Sequence, residues 1–232
     1  IVCFKATILK ILMINQKRKK KSPLRNQVNR VLITGAGGFI GSNLSAYLEA
    51  RGFQVTRFDI SLGNTGYPDI FNQDFVIHLG ANSSTTETDL KKILDQNFEY
   101  SANLYKMCEA YEIKFQYASS ASVYGVSKTF KEDEFCKPLS PYAFSKYMFD
   151  CWLMNQEYPY QGFRYFNVYG LGEDKKGKQA SPVSKFIKEA QTGGKIKIFE
   201  KSEKYKRDFV SVDDVCEMHY RLLTNDASGI LT

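Results

Sequence analysis

Residues 30–41 read RVLITGAGGFIG. A short apolar, β-branched run is followed by Gly35, Gly38 and Gly41 at three-residue spacing, and SNLSAYLEARG (42–52) then places apolar side chains at helical intervals. The order is strand, glycine turn, helix. Glycines there permit a tight turn and let the backbone close on a pyrophosphate, whose charge sits at the helix N terminus. Asp59 ends a second strand, FQVTRFD, 24 residues after Gly35. A carboxylate at that strand end accepts hydrogen bonds from adenine ribose hydroxyls, so the pattern predicts dinucleotide binding.

Outward from this unit the alternation continues. DFVIHLG (74–80), KFQYASS (114–120) and GFRYFNV (162–168) read as strands, and 89–111 and 141–155 read as helices. The expected class is α/β, a Rossmann-like doubly wound parallel sheet. One connection is too short for the usual plan. Only 15 residues, rich in Gly, Asn, Asp and Pro, separate Asp59 from Phe75. A helix, a strand and a second helix do not fit there, because one crossover alone takes at least about 10 to 12 residues. The second crossover is therefore expected to be shortened and the third strand of the usual order missing or vestigial.

The 232 residues are 43% hydrophobic and 25% charged, a globular composition. The net charge of +7 is unevenly placed: residues 1–30 carry nine Lys or Arg and no acid, leaving 31–232 with 23 basic against 25 acidic side chains. A nucleic-acid surface spreads its basic residues over the folded body, so no nucleic-acid partner is expected. Residues 1–28 read as a basic, disordered leader, and 29–232 as one dinucleotide-binding domain. The leader's IVCFKATILKILMI is shorter than the roughly 20 apolar residues a membrane span needs. Its basic run QKRKKK follows the apolar stretch, the reverse of a secretory signal. Five cysteines, an odd number with no CxxC pair, fit a reducing cytoplasm. Two histidines leave little material for a metal centre or a Ser/His/Asp triad.

SPYAFSKYMFD (140–150) places Tyr142 and Lys146 four apart on one helix face. A free phenol, with a pKa near about 10, is a poor base at neutral pH unless a nearby cation stabilises the phenolate. Lys146 supplies that cation, and Ser120, at the end of the preceding strand in YASSASVYG, is placed to hydrogen bond the reacting oxygen.

Glycine turn, strand-end serine and Tyr/Lys pair, in this order, resemble the short-chain dehydrogenase/reductase superfamily, in its extended branch acting on nucleotide sugars. ITGAGGFIGSN, HLGANSSTTETD, QYASSASVYG, KPLSPYAFSKYMFD, GFRYFNVYG and EKSEKYKRDFVSVDDV are most similar to the ADP-L-glycero-D-manno-heptose 6-epimerases. The resemblance implies Ser120, Tyr142 and Lys146 as catalytic residues, with Lys176 as a second catalytic lysine in the loop after NVYG. It implies cofactor contacts from Gly35, Gly38, Phe39, Ile40, Gly41, Asp59, Ile60, Leu79, Gly80, Ala81, Asn82, Ser83, Asn97, Lys146 and Val168. Substrate contacts are implied for Asn167, Lys178, Lys185, Phe199, Glu200, Lys201, Ser202 and Arg207, in partial substrate-binding elements over about 170–207. It also implies a nucleotide-sugar substrate, a homo-oligomer and a role in lipopolysaccharide biosynthesis.

Three departures stand out. Leu171 and Gly172 replace the Pro-Arg common after NVYG, the second crossover is short, and the chain stops at SGILT, where the family continues into a C-terminal substrate region. The expectation is an NAD(P)-dependent epimerase whose C-terminal substrate region is incomplete. The alternatives are a nucleotide-sugar 4-epimerase, a 4,6-dehydratase of the same fold, or a truncated cofactor-binding protein without turnover. Dehydratases usually carry an acidic pair after the strand-end serine, where this chain has Ala121 and Ser122. On the cofactor, Asp59 favours NAD by repelling the extra phosphate of NADP, whereas the resemblance favours NADP. Arg57 lies too early in its strand to serve that phosphate.

Overall fold

The structure is a computed structural model that describes residues 29–231 apart from 197, 199 and 201–206. The leader 1–28 lies outside the described residues.

Strand β1 (Arg30–Thr34) runs parallel between β2 (Gln54–Phe58) and β3 (Phe75–His78), with Thr34 level with Phe58 on one side and His78 on the other. Beyond β3 follow β4 (Lys114–Ser120), β5 (Tyr160–Tyr165) and, late in the chain, β8 (Gly229–Leu231). The six strands form one parallel sheet in the order β2-β1-β3-β4-β5-β8. The chain winds outward from β1 to β2, then crosses back to the other side of β1. That reversal opens a crevice at the carboxyl ends of β1 and β3, the place where such sheets bind ligands. The 15-residue connection contains a single 3₁₀ turn, Ile60–Leu62, and no strand, so the third strand of the usual order is absent, in line with the short connection.

Both faces of β1 are buried, as an all-parallel sheet requires. Val31 and Ile33 pack with Leu44 and Leu48 of α1 (Phe39–Glu49) and with Val215 and Cys216 of α6 (Val212–Leu223). Leu32 faces the opposite core with Leu104, Tyr105, Phe115, Tyr117 and Phe149, carried partly by α3 (Tyr100–Ala110) and α4 (Pro141–Leu153). Alternation along one strand thus assigns its side chains to two helical layers.

Two elements differ from the expectation. The helix read over 89–111 is broken into α2 (Leu90–Leu94), a π-helical turn over Asp95–Glu99, and α3. The strand read through 162–168 divides at Phe166. β5 stays in the main sheet, while β6 (Asn167–Tyr169) leaves it to pair with β7 (Phe209–Ser211) in a separate two-stranded parallel sheet. That departure carries the following loop, residues 170–181, back over α1 before α5 (Pro182–Gln191) begins. No helix among the described residues is long and apolar enough to cross a membrane.

Candidate active site

The glycine turn is built by contacts that exclude any side chain. Gly35 has φ +71°, and a Cβ there would lie 2.6 Å from the Gly80 nitrogen; one on Gly41 would lie 2.1 Å from the Gly35 carbonyl. Gly38 differs, since a Cβ on it would meet only the Gly35 carbonyl, at 3.2 Å. Gly38 is the N-cap of α1 with no side chain to cap the helix, and the first turn holds no acid. The N–H groups of the first turn therefore lack intrahelical partners and face the crevice with the positive end of the helix dipole. This cradle fits a dinucleotide pyrophosphate.

Asp59 stands beside it. Its Oδ2 accepts from the Gly37 N–H at 3.2 Å, and its Oδ1 accepts from the Ser61 N–H and Oγ–H, both at 2.7 Å. A cleft of about 730 Å³ brings Gly35, Asp59, Ile60, Gly80, Ala81 and Asn82 together. Its outer wall is Tyr67 from the short connection, stacked on Tyr100 with ring centroids 4.5 Å apart. Lys92 also lines this cleft, with its amine 2.7 Å from Glu87. Arg57 is turned away from it, 2.8 Å from Glu49 on α1. Neither Tyr67 nor Lys92 was legible as part of the site, because the connection holding Tyr67 and the helix holding Lys92 meet only in the tertiary fold.

Behind the cleft runs a buried polar chain. The Thr34 Oγ1 contacts His78 Nδ1 at 2.6 Å and accepts from the Gly80 N–H at 3.2 Å; His78 Nε2 contacts Ser101 Oγ at 2.8 Å. Burial, with the Lys146 charge adding to it, pushes the His78 pKa down to about 3, so the imidazole is neutral. Asn97, in the π-helical turn, is fully buried. Its Oδ1 accepts from the Asn82 N–H at 2.7 Å, while its amide donates to the Asn82 carbonyl and to Ser145 Oγ, each at 3.0 Å. The Asn97 side chain thus braces the Asn82 turn against α4 from behind. Val168 packs into the core, Leu79 and Ile40 pack partly against it, and Ser83 is exposed on the loop after β3.

Ser120 closes β4 and caps a short 3₁₀ turn, Ala121–Tyr124. The α4 helix starts at Pro141 with Ser140 as its N-cap, which accepts from the Ala143 N–H at 3.1 Å. This cap and the Pro at the first position set the helix start, so that Tyr142 lies in the first turn beside Ser120. Burial raises the Tyr142 phenol above its ordinary pKa, and its hydrogen bond with Ser120 acts the other way. One turn on, Lys146 is only 4% exposed and donates from Nζ to the Ala118 carbonyl of β4 at 2.9 Å. Burial lowers its pKa to about 8, opposed by the Asp150 carboxylate. Asp150 in turn pairs with Arg164 behind the helix, a feature the YxxxK pattern does not contain.

The loop after β6 is pinned to α1. Asn43 donates to the Leu171 carbonyl at 3.0 Å, and the Lys175 amine lies 3.1 Å from Ser42 Oγ. Gly172 adopts φ +83°, a conformation L side chains rarely take, so the Leu-Gly pair gives this loop its own entry. Glu173, almost wholly buried, accepts from the Ser181 N–H at 2.7 Å and Oγ–H at 2.8 Å. The Lys176 amine sits 3.5 Å from that carboxylate and 5.5 Å from the Phe39 ring centroid, at the cradle end of α1. Asn167 donates to the Asp208 carbonyl at 2.8 Å, and Lys185 and Arg207 are exposed, on α5 and ahead of β7. Glu200 is exposed as well. Phe199, Lys201, Ser202 and the Lys178 side chain lie outside the described residues.

A parallel sheet with a glycine cradle at its switch point, and a serine, tyrosine and buried lysine at the ends of the next strand and helix, define a dinucleotide-dependent enzyme of the extended Rossmann type. Comparison with known proteins gives the same class. The profile of the NAD dependent epimerase/dehydratase family matches residues 31–231, and the chain belongs to that family. Among solved structures it is similar to the ADP-L-glycero-D-manno-heptose-6-epimerase of Helicobacter pylori, with a TM-score of 0.80 and 27% identity over 90% of this chain and 78% of that one. It is also similar to the UDP-N-acetylglucosamine 4-epimerase of Methanobrevibacter ruminantium (TM-score 0.75, 26% identity, 88% of this chain and 76% of that one). A third is the Thermus thermophilus UDP-glucose 4-epimerase, solved with NAD (TM-score 0.70, 29% identity, 87% of this chain and 76% of that one).

Proposed function

We propose that this protein is an NAD-dependent epimerase of a nucleotide-linked sugar, and that its substrate is an ADP-linked glycero-manno-heptose inverted at C6 by transient oxidation and re-reduction. The observation that carries this reading is the presence of two basic groups on separate supports. Tyr142 is held by α4 beside Ser120, and the Lys176 amine is brought by the loop after β6 to the cradle end of α1. The nicotinamide cofactor, when bound, supplies acceptance and return of the hydride.

The chain's own residues handle the proton. Tyr142 as phenolate takes the hydroxyl proton, Ser120 orients the reacting oxygen, and the Lys146 cation supports the phenolate. After the keto sugar turns over in the site, its oxygen meets the Lys176 ammonium, which returns a proton on the other face. A second donor suits inversion, because the turned keto oxygen no longer faces Tyr142. Dehydration would instead need an acid after Ser120, where Ala121 and Ser122 stand. Asp59 and the turned-away Arg57 favour NAD over NADP, and the Lys92 charge is matched by Glu87. In this reading residues 29–232 are one cofactor-binding domain with sugar-side elements over about 170–207, in a homo-oligomeric cytoplasmic enzyme that supplies lipopolysaccharide assembly.

The test is incubation with the ADP-heptose and NMR of the C6 centre, in ordinary and in deuterated water. Epimerisation without deuterium at C6 is expected, because the hydride returns from the cofactor. It should be lost in Tyr142→Phe and Lys176→Ala while cofactor affinity stays within about threefold, since neither side chain supplies one of the backbone N–H groups of the cradle. Deuterium at C6, or full activity in Lys176→Ala, would overturn the two-base scheme. The similarity to UDP-sugar 4-epimerases makes UDP-glucose the comparison substrate; turnover of that sugar alone would move the assignment to C4 epimerisation.

A further inference from the structure

The Ser/Tyr/Lys pattern says nothing of the residue two places after the serine, yet Ser122 makes two contacts with Ser120. Its backbone N–H donates to Ser120 Oγ at 3.2 Å, and its own Oγ–H donates to the same oxygen at 2.9 Å. A hydroxyl has two acceptor sites and one proton. We infer that Ser122 is a positioning residue for the reaction: by filling both acceptor sites of Ser120 it leaves that hydroxyl only its proton to offer, directed at the Tyr142 oxygen in the free enzyme and at the reacting oxygen once substrate is bound.

The result is a head-to-tail run, Ser122 to Ser120 to Tyr142. Each donation in such a run polarises the next. The backbone contact is available to any residue but proline at position 122, because it is the capping bond of the turn Ala121–Tyr124. The Oγ contact is not: among the small residues only Ser or Thr supplies it. With alanine there, one acceptor site of Ser120 is vacated, the hydroxyl is free to rotate, and its donation to Tyr142 weakens. The Ser120 donation is the contact that opposes the effect of burial on the phenol, so its loss makes the phenolate harder to form.

This inference rests on Ser120 and Tyr142 acting as proposed above, and the experiment separates the two. The ionisation of Tyr142 is followed by near-ultraviolet phenolate absorbance, taken as the difference from Tyr142→Phe, with and without NAD, in wild type, Ser120→Ala, Ser122→Ala and Ser122→Thr. One hydrogen bond is worth about 1 kcal/mol, which corresponds to a shift of roughly 0.7 pH unit or a roughly fivefold change in rate. Ser122→Ala should move the midpoint to higher pH by about that amount, with Ser122→Thr restoring it. In turnover, Ser122→Ala should lower kcat about fivefold with KM nearly unchanged, and shift the alkaline-rising limb of the rate profile to higher pH. If Ser120→Ala raises the midpoint and Ser122→Ala leaves it at the wild-type value, the inference falls and the site reading stands. If neither variant moves it, both fall.

Discussion

The Arg164 guanidinium and the Asp150 carboxylate form an ion pair, Nε to Oδ2 at 2.9 Å, with side-chain exposures of 1% and 0%. Asp150 also accepts from the Tyr117 hydroxyl, and Arg164 donates to the Glu132 carbonyl at 3.2 Å. The pair ties α4, which carries Tyr142 and Lys146, to β5. Charges this deeply buried are tolerated only as a matched set, so removing one partner strands the other. Asp150→Leu or Arg164→Met should each destabilise the fold by about 3 to 5 kcal/mol in urea titration. The double replacement Asp150→Leu with Arg164→Met should recover much of that loss. A double variant as unstable as the sum of the singles would show that the pair contributes more than mutual neutralisation.

The two buried histidines set an acid limit on stability. His78 and His219 are both held by burial at a pKa of about 3, against about 6.5 in an unfolded chain. Between those values the unfolded state binds more protons than the native state. Stability from these groups is therefore complete above about pH 6.5 and is lost as pH falls towards 3. At about pH 5 the loss should be of order 2 kcal/mol per histidine by linkage. Urea titrations near neutrality and at mildly acid pH check it, and equal stability at both would contradict the neutral-imidazole assignment.

Gly38 and Gly41 separate binding from folding. A Cβ on Gly41 would strike the Gly35 carbonyl at 2.1 Å, while one on Gly38 meets only that carbonyl, at 3.2 Å. Gly41→Val should fold poorly. Gly38→Val should keep most of its thermal stability and lose cofactor affinity by more than about tenfold, because the branched side chain occupies the anion position at the helix start. Calorimetry with cofactor, alongside melting curves, reads both; wild-type affinity in Gly38→Val would remove the glycine turn from the binding site.

Cofactor preference is read by competition. NAD should bind more tightly than NADP, since the Asp59 carboxylate lines the cleft and would repel an added phosphate, and Arg57 is engaged by Glu49 at 2.8 Å. Asp59→Ser should narrow the difference, and Arg57→Ala should leave it unchanged. Tighter NADP binding, lost on Arg57→Ala or Lys92→Ala, would identify the cation that reads the phosphate.

The sequence by itself determined the local units and their order. The run Arg30–Gly41, the strand-end Asp59 and Ser120, and the four-residue spacing of Tyr142 and Lys146 are short-range patterns, governed by backbone sterics and helical period, and so legible in one dimension. The 15-residue connection also showed by length alone that the usual crossover is cut short and its strand missing or vestigial. Tertiary structure decided the rest. Phe166 ends β5 because β6 finds its partner in Phe209–Ser211, some 40 residues on, and a strand's length is set by the neighbours it pairs with. The π-helical turn at Asp95–Glu99 puts Asn97 against Asn82 and Ser145. Tyr67 meets Tyr100, and Arg164 meets Asp150, only when the sheet has closed. Such pairings satisfy buried polar and aromatic groups across layers, and their energy depends on burial that no local spacing encodes.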